Sequence, residues 1–314
     1  MEKISVVFLG SDPIAIPLLN FISSIESWEI KAIFTQPDRK VGRGKNRKEN
    51  EIKTWAKNHN IKVLQPETLT NQTEDWFTNE TIDIAMVMAY GHILKKSLLA
   101  IPRLGFWNFH TSLLPQLRGA APIAGALIQG FNKTGVSLMK IIPKMDAGPI
   151  LDQEVCNISD RDDQTSLRKL LSEISVTLLK RNIVKLNREN PKLTAQQESK
   201  ATYISKIRKE DGRLNCQIAA INIERMFRAY QPWPGLFFFI KGHRIKIGQL
   251  TEETPLQYDG IPKKIVDIDL QRGIKVGTYR GYIYLQRLQR EGGKMLPYKE
   301  FLLGFSIDID TFLD

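Results

Sequence analysis

Residues 4–13 read ISVVFLGSDP and set the pattern for the first half of the chain. Six mostly apolar residues ending at Leu9 are typical of a buried strand. Gly10 ends this run, and Ser11 and Asp12 are candidate N-caps ahead of Pro13 at the first position of a helix. The stretch therefore predicts a strand, a tight turn and a helix. It has no second or third glycine to let the backbone approach a pyrophosphate, so it does not indicate dinucleotide binding.

The same alternation of strand and helix signals continues along the chain. Further strands are predicted at 30–34, 61–64, 82–89, 106–109 and 136–142, with helices at 49–59 and 94–100. Strands that recur between helices favour right-handed crossovers and a mostly parallel sheet with helices on both faces. The first half is therefore predicted to be α/β, and its ligands are expected beyond the carboxyl ends of the strands.

The alternation of strands and helices ends before about residue 205, and a different pattern follows. A long amphipathic helix is predicted at 165–186, and the polar stretch after it, which contains Pro191, has the composition of a linker. Beyond it come one helix at 217–230 and short strands at 236–240, 244–247, 273–276 and 281–285. Short strands separated by turn residues predict a small closed β-barrel. We therefore predict a catalytic domain at 1–187, a linker at 188–205 and a second domain at 206–314.

Composition limits the classes of protein. The 314 residues are enough for about two domains, and 42% hydrophobic and 25% charged residues are ordinary for a globular protein. A net charge of +11 indicates a polyanionic partner such as nucleic acid or a phosphorylated substrate. Two cysteines without a Cys-x-x-Cys pair, and four histidines without a His-x-x-x-His pair, give no support to a metal site. Short apolar runs and an early first strand predict a cytoplasmic protein without a membrane partner.

The stretch NFHTSLLPQLRG at residues 108–119 carries the strongest chemical signal. On a strand, Asn108 and His110 project to one face while Trp107 and Phe109 project to the other. An amide donor beside a titratable base, at the end of a strand, suits a reaction that develops negative charge on a carbonyl oxygen. The alternative is a strand end whose polar residues cap a turn.

A second candidate is Asp146, in a turn bounded by proline and glycine after a predicted strand. Its carboxylate can orient or deprotonate a neighbouring imidazole. The alternative is a turn aspartate that is hydrogen-bonded to its own backbone.

Basic residues are concentrated in one loop. It follows the second predicted strand and contains Arg39, Lys40, Arg43, Lys45, Arg47 and Lys48, with no acidic residue. The loop lies at the ligand-binding edge of the predicted sheet, and its charge suits contacts to a phosphate backbone. The predicted barrel is also basic, which suits an oligonucleotide. A solvated loop and a purely structural barrel would have the same patterns.

Together these motifs resemble the folate-dependent formyltransferase family. The resemblance rests on residues 108–122, on Met145-Asp146-Ala147-Gly148-Pro149, and on the stretches 201–207 and 232–235. It spans nearly the whole chain and matches bacterial members in length and layout. One departure is visible at 213–216, where Asn215 and Cys216 stand in place of the acidic residue and tryptophan that are common in relatives.

The resemblance implies a Rossmann-like catalytic domain followed by an oligonucleotide-binding (OB) type of barrel. It implies formyl transfer from 10-formyltetrahydrofolate to the α-amino group of methionine on initiator tRNA, without a metal. Asn108, His110 and Asp146 are the implied catalytic residues. The turn formed by Ser112, Leu113, Leu114 and Pro115 is implied to hold the folate. The six basic residues of the 39–48 loop fall where the family's tRNA-contacting loop lies, and a monomer in the bacterial cytoplasm is expected.

Two other functions remain open on the sequence. A formyltransferase acting on a small amine, such as an amino-sugar nucleotide or a purine-pathway ribonucleotide, would share the three catalytic residues. The basic loop and basic barrel favour the tRNA substrate. A non-enzymatic RNA-binding protein is the other alternative, and the intact set of three polar residues argues against it.

Overall fold

The computed structural model of the chain describes residues 3–41, 46–258 and 260–314, with only the backbone described at 39–41 and 46–48. The chain divides into two compact units. The first contains Met1–Pro122, Lys133–Ile158 and Leu167–Ser205, and the second contains Ile123–Asn132, Ser159–Ser166 and Lys206–Asp314.

The first unit is built on a mixed seven-stranded sheet. Its strands are β1 (Ile4–Leu9), β2 (Trp28–Phe34), β3 (Arg39–Val41), β4 (Asn46–Lys48), β5 (Val63–Leu64), β6 (Ile84–Val87), β7 (Phe106–His110), β8 (Arg118–Gly119), β9 (Lys133–Lys140), β10 (Ile150–Asn157) and β11 (Tyr203–Ile204). The sheet order is β10-β9-β7-β6-β1-β2-β5, and the pairs β3-β4 and β8-β11 stand apart. All pairs from β7 to β5 are parallel, which confirms the predicted α/β fold with a mostly parallel sheet.

Helices connect the strands. They are α1 (Ile16–Ser23), α2 (Glu51–Asn58), α3 (Asn71–Asn79), α4 (Lys96–Leu99), α5 (Pro122–Ile128), α6 (Gln164–Leu186), α7 (Ala220–Ala229) and α8 (Tyr298–Gly304). Among the described residues, none of these helices combines the length and the apolar character that crossing a membrane requires.

The turn after β1 has the predicted form. The Asp12 carboxylate accepts a hydrogen bond from the Ile14 amide at 2.9 Å, and Pro13 begins a 3-10 turn that leads into α1. A Cβ at position 10 would lie 2.7 Å from the Met88 carbonyl oxygen, so only glycine lets β1 leave the sheet this close to the strand β6. The sequence prediction of strand, turn and helix is confirmed at this position.

Helix α3 was not predicted, although it contributes two aromatic side chains to the hydrophobic core of the first unit. Phe77 is fully buried, and its ring packs 5.4 Å from that of Phe34 and 5.6 Å from that of Phe106. Trp76 packs against Phe34 in an edge-to-face arrangement at 5.3 Å. Because the helix has only these two large apolar residues in an otherwise polar stretch, its periodicity is too weak to identify it from sequence.

Strand β9 runs against its neighbours. It is antiparallel to both β7 and β10, and its last residue, Lys140, lies opposite Trp107 near the start of β7. The carboxyl end of β9 therefore lies at the opposite edge from that of β7. Asp146, which follows β9, and His110, which ends β7, therefore do not come together at a shared edge of carboxyl ends, since that would require parallel strands.

The second unit is an antiparallel sheet. Its strands are β12 (Phe237–Ile240), β13 (His243–Glu253), β14 (Ile265–Asp269), β15 (Gly273–Gly277), β16 (Tyr282–Arg290) and β17 (Leu296–Pro297). Their order is β12-β13-β16-β15-β14, with β17 paired to β16. Alternate apolar residues such as Ile245, Ile247 and Ile283 are fully buried on the inner face. The predicted OB-like domain is confirmed, but its sheet is curled into a half-barrel, whereas the strand pattern predicts a closed barrel. Among the described residues, the end strands β12 and β14 are not paired with each other.

The stretch that departs from the family pattern begins this unit. Arg213 forms a β-bridge with Phe237, and the Asn215 side chain accepts a hydrogen bond from the Gln217 amide shortly before α7. Cys216 is buried, and this burial raises the pKa of its thiol to about 11. At the two positions that depart from the family pattern, Asn215 therefore stabilises a turn and Cys216 is a small buried side chain.

Candidate active site

Strand β7 presents Asn108 and His110 on one face. The residues between and beside them, Trp107 and Phe109, are buried on the other face, as the period of two requires. Asn108 is partly exposed, and its side-chain amide has no hydrogen-bond partner among the described residues. Its N–H groups are therefore available to a substrate oxygen.

His110 has a defined orientation. Its side chain is only 6% exposed, and its Nε2 lies 2.9 Å from the Leu117 carbonyl oxygen. Because a carbonyl oxygen can only accept, Nε2 carries a hydrogen. In the neutral imidazole the lone pair is then on Nδ1, which lies 3.8 Å from Oδ2 of Asp146. The unprotonated Nδ1 of the neutral imidazole therefore faces a carboxylate.

Asp146 reaches this position through the loop 141–149. Its φ of 49° is in the left-handed region, which is uncommon for a residue other than glycine. Its Oδ2 accepts a hydrogen bond from the Gly119 amide at 2.8 Å, and its side chain is 17% exposed. The carboxylate is thus fixed by a residue 27 positions earlier in the chain, next to the imidazole.

The turn after β7 is held by hydrogen bonds within the protein. Ser112 Oγ donates to the Gln116 carbonyl at 2.7 Å. Ser137 Oγ donates to the Ser112 carbonyl at 2.6 Å and accepts from the Leu114 amide at 3.0 Å. Gln153 Nε2 donates to the Leu114 carbonyl at 3.0 Å and to Ser137 Oγ at 2.7 Å. The polar groups of Ser112 and Leu114 are therefore largely engaged by the protein itself.

Sequence reasoning missed Ser137 and Gln153, because neither stands in a recognisable motif. The remaining predicted turn residues, Leu113 and Pro115, are partly exposed, and the Leu114–Pro115 peptide bond is cis. Leu114 is buried and packs against Met139 and Ile150.

Arg118 belongs to the motif at 108–119, but sequence reasoning assigned it no role. Its side chain is fully buried. Its Nε and Nη2 donate to Gln196 Oε1 at 3.1 and 2.9 Å. Its Nη1 donates to Glu198 Oε2 at 3.0 Å and to the Tyr203 hydroxyl at 2.9 Å. A buried guanidinium is tolerated only when its donors are satisfied, and here residues 196–203 satisfy them.

Residues 194–204, which we name the strap, lie against these turns. Thr194 exchanges two backbone hydrogen bonds of 2.8 Å with Ile150. The hydroxyl of Thr202 accepts from the Leu117 amide at 2.9 Å. The pair Tyr203–Ile204 forms β11, which runs parallel to β8. The stretch predicted as a linker is thus hydrogen-bonded to the active-site loops of the first unit over most of its length.

The basic loop lies mostly outside the described residues. Arg43 and Lys45 fall there, as do the side chains of Arg39, Lys40, Arg47 and Lys48. The backbone of β3 and β4 forms an antiparallel pair.

The described residues on either side of the β3-β4 pair are held by hydrogen bonds to other side chains and to the backbone of α2. The Asp38 carboxylate accepts from Lys53 at 2.5 Å and from Gln65 at 2.9 Å, and these two hydrogen bonds lower its pKa. Asn50 caps α2 by accepting from the Lys53 amide at 2.9 Å.

No group of three or more histidine, cysteine, aspartate or glutamate residues within the described ranges is placed to hold a metal ion.

Solved structures with the same fold include several formyltransferases. WlaRD, a sugar 3N-formyltransferase, superimposes with a TM-score of 0.66 at 18% identity over 92% of this chain and 98% of its own. The N-formyltransferase from Helicobacter canadensis gives 0.64 at 19% identity, over 92% and 100% of the two chains. HypX from Aquifex aeolicus, solved in complex with tetrahydrofolic acid, gives 0.59 at 14% identity, over 98% of this chain and 50% of its own. At these identities the likeness shows the fold alone.

Curated relatives are more similar in sequence and match at full length. A methionyl-tRNA formyltransferase of Legionella pneumophila is 35% identical over all of this chain and 99% of its own length. One from Caldicellulosiruptor saccharolyticus is 34% identical over 96% and 97% of the two chains. Residues 3–183 match the family described as formyl transferase, and residues 206–306 match its C-terminal domain. The chain belongs to the formyltransferase family.

Proposed function

We propose that this enzyme transfers the formyl group of 10-formyltetrahydrofolate to the α-amino group of methionine on initiator tRNA. One observation carries the choice of substrate: the relatives that match both units end to end, at 34–35% identity, are named methionyl-tRNA formyltransferases. Two sugar formyltransferases of known structure share the fold at 16–18% identity.

Asn108 is the proposed oxyanion donor. Attack of the amine on the formyl carbon gives a tetrahedral adduct whose oxygen carries negative charge. The unpartnered side-chain amide of Asn108 is a neutral donor that needs no rearrangement before it donates to that oxygen. It supplies this stabilisation only as the charge develops, which is the requirement for lowering the barrier.

His110 and Asp146 are the proposed proton-handling pair. An α-amino group with a pKa near 8 is partly neutral at cellular pH, so the attack needs no strong base. As the adduct forms, the nitrogen becomes cationic and must lose a proton. His110 takes that proton at Nδ1, and the charge of Asp146, 3.8 Å away, stabilises the imidazolium.

The reaction balances with these groups alone. A bond forms between the α-amino nitrogen and the formyl carbon, and the bond from that carbon to N10 of the folate breaks. The proton that His110 received is delivered to N10, so the imidazole returns to its neutral form. The products are the formylated aminoacyl-tRNA and tetrahydrofolate.

Residues Ser112 to Pro115 are proposed to border the folate. Because the polar groups of Ser112 and Leu114 are engaged by Ser137, Gln153 and Gln116, the turn offers a fixed wall rather than a set of free donors. Its partly exposed members, Leu113 and Pro115, are suited to contact a flat aromatic group. The residues present therefore fit a folate donor that is consumed as a substrate.

The tRNA is proposed to contact the 39–48 loop and the domain at 206–314. The catalytic residues are proposed to belong to the domain at 1–187, and the stretch 188–205, predicted as a linker, supports that domain through the contacts of the strap. The net charge of +11 favours a polyanion. We further propose a monomer that acts in the cytoplasm, where charged initiator tRNA is used.

A parallel assay tests the substrate. The protein is incubated with the formyl-folate donor and with charged initiator methionyl-tRNA, with a nucleotide-linked amino sugar, or with an uncharged tRNA as control. Formylation of the charged tRNA alone is expected. Formylation of the amino sugar with no transfer to the tRNA would overturn the proposal.

Salt dependence tests the loop separately. In the double variant Arg43→Ala, Lys45→Ala, tRNA affinity falls and the slope of log affinity against log salt becomes shallower by about 2, since each lost phosphate contact removes about 0.9 from it. An unchanged affinity and slope would remove these two residues from the tRNA-binding surface.

A further inference from the structure

We propose that Gln196 is a positioning residue for the reaction, because it holds the loop that presents Asp146 to His110. The inference rests on the proposed function, since Asp146 is assigned its role there. It concerns a residue in the stretch that the sequence predicts to be a linker.

The side-chain amide of Gln196 joins two groups. Its Nε2 donates to the carbonyl oxygens of Asp146, at 2.8 Å, and Gly148, at 2.7 Å. Its Oε1 accepts from Nε and Nη2 of Arg118. Carbonyls cannot donate and a guanidinium cannot accept, so these partners permit only one orientation of the amide. The amide nitrogen of Gln196 thus donates both of its hydrogen bonds to the loop.

Arg118 keeps Gln196 in place. The guanidinium is fully buried, and the Tyr203 hydroxyl and Glu198 fix its other end. Glu198 also accepts from Lys144 of the same loop at 2.6 Å, although this ion pair is more than half exposed and contributes little. The strap therefore contacts the loop on both sides of Asp146, and the less exposed of these contacts is the part-buried one made by Gln196.

The loop 141–149 needs this support because it begins at the end of the sheet that is distant from His110. Strand β9 ends opposite Trp107, near the start of β7, and the loop must return toward the other end of that strand to bring the carboxylate to His110. Asp146 does so with a left-handed backbone, which persists only when neighbouring groups hold it. Gln196 binds its carbonyl, and Gly119 binds its carboxylate.

Two substitutions test whether Gln196 positions Asp146 or only stabilises the folded protein. Gln196→Glu keeps an oxygen that accepts from Arg118 but has no N–H for the Asp146 and Gly148 carbonyls. Gln196→Ala removes both contacts. The matched controls are Gln197→Glu and Gln197→Ala, which make the same changes at the next residue, whose side chain is exposed.

In single-turnover and steady-state formylation, Gln196→Glu and Gln196→Ala are expected to lower kcat by about 10- to 100-fold, since small displacements of a catalytic group have effects of this size. The KM values for both substrates stay within about twofold, and the thermal midpoint of Gln196→Glu stays close to wild type. Hydrogen–deuterium exchange in the peptide covering 141–149 rises in both variants and not in the Gln197 controls.

The inference is overturned if Gln196→Glu keeps a kcat within twofold of wild type, if the Gln197 controls lose as much activity, or if KM alone changes. If the wild type does not formylate charged initiator tRNA, the proposed function fails by itself. In that case the exchange measurement still decides the inference: an unchanged rate in 141–149 in the Gln196 variants would show that Gln196 does not hold the loop.

Discussion

Replacing Asp146 by Asn isolates the charge of its carboxylate. Asparagine has almost the same shape, and its side-chain carbonyl can still accept the hydrogen bond that the Gly119 amide now donates at 2.8 Å. The loop 141–149 and the contacts of Gln196 are therefore expected to stay in place. What is lost is the attraction between the carboxylate and the protonated imidazole of His110.

The distance sets the size of this loss. Two unit charges 3.8 Å apart attract by about 4 kcal/mol at an effective dielectric constant of about 20. The side chains of His110 and Asp146 are 6% and 17% exposed, so solvent screens part of the interaction. A loss of about 2–4 kcal/mol in the transition state corresponds to a fall of about 30- to 1,000-fold in the rate of formyl transfer.

Single-turnover formylation with enzyme in excess measures this step without product release. Asp160→Asn is the matched control, because it makes the same change at an exposed aspartate. The thermal midpoint of Asp146→Asn should match that of wild type. A single-turnover rate within threefold of wild type would refute the electrostatic role of Asp146, because a 3.8 Å pair retains about 1 kcal/mol, or about sixfold in rate, even at the dielectric constant of water.

Three further predictions test other parts of the molecule. Asn108→Ala is expected to lower turnover by about 10²-fold or more with little change in KM, as for other oxyanion donors, and near-wild-type single-turnover rates would contradict its role. Gly119→Ala places a Cβ against the Ile204 carbonyl oxygen at a φ of 113°, so the free energy of unfolding in urea should fall by about 3 kcal/mol or more. In the control Gly304→Ala the new Cβ meets nothing within 4 Å, and the free energy of unfolding should fall by less than about 1 kcal/mol. Hydrogen bonds from the Tyr284 hydroxyl and the Arg272 guanidinium lower the pKa of Glu253 to about 2, so its contribution of about 1–2 kcal/mol is present above pH 4.5 and is lost as the pH falls toward 2. Glu253→Gln should therefore weaken the protein by less at pH 2.5 than at pH 7 in the same urea assay, because the carboxylate is partly protonated at the lower pH. An equal loss at the two pH values would contradict this.

Local patterns allowed much of the fold to be predicted. The turn at Gly10 and the cap at Asp12 depend on residues within a few positions of each other, and both were readable from sequence. The shared face of Asn108 and His110 follows from the period of a single strand. Such features need no knowledge of distant partners.

The parts that were not predicted depend on contacts between distant residues. The direction of β9 is set by pairing with β7 and β10, and nothing within its own sequence distinguishes a parallel from an antiparallel strand. The burial of Arg118 depends on side chains about 80 positions later. Helix α3 is stabilised by the packing of Phe77 on other elements rather than by its own periodicity.

Arg118 also bears on where the catalytic domain ends. Its side-chain partners, Gln196, Glu198 and Tyr203, all lie beyond the end of α6. Without them the guanidinium would be left buried and unpaired, which costs several kcal/mol, or would have to leave the interior and disturb the turn that carries Gly119. Gly119 in turn fixes the carboxylate of Asp146. We therefore infer that the stretch predicted as a linker is needed to complete the catalytic domain. The first compact unit extends to Ser205, which agrees with this reasoning.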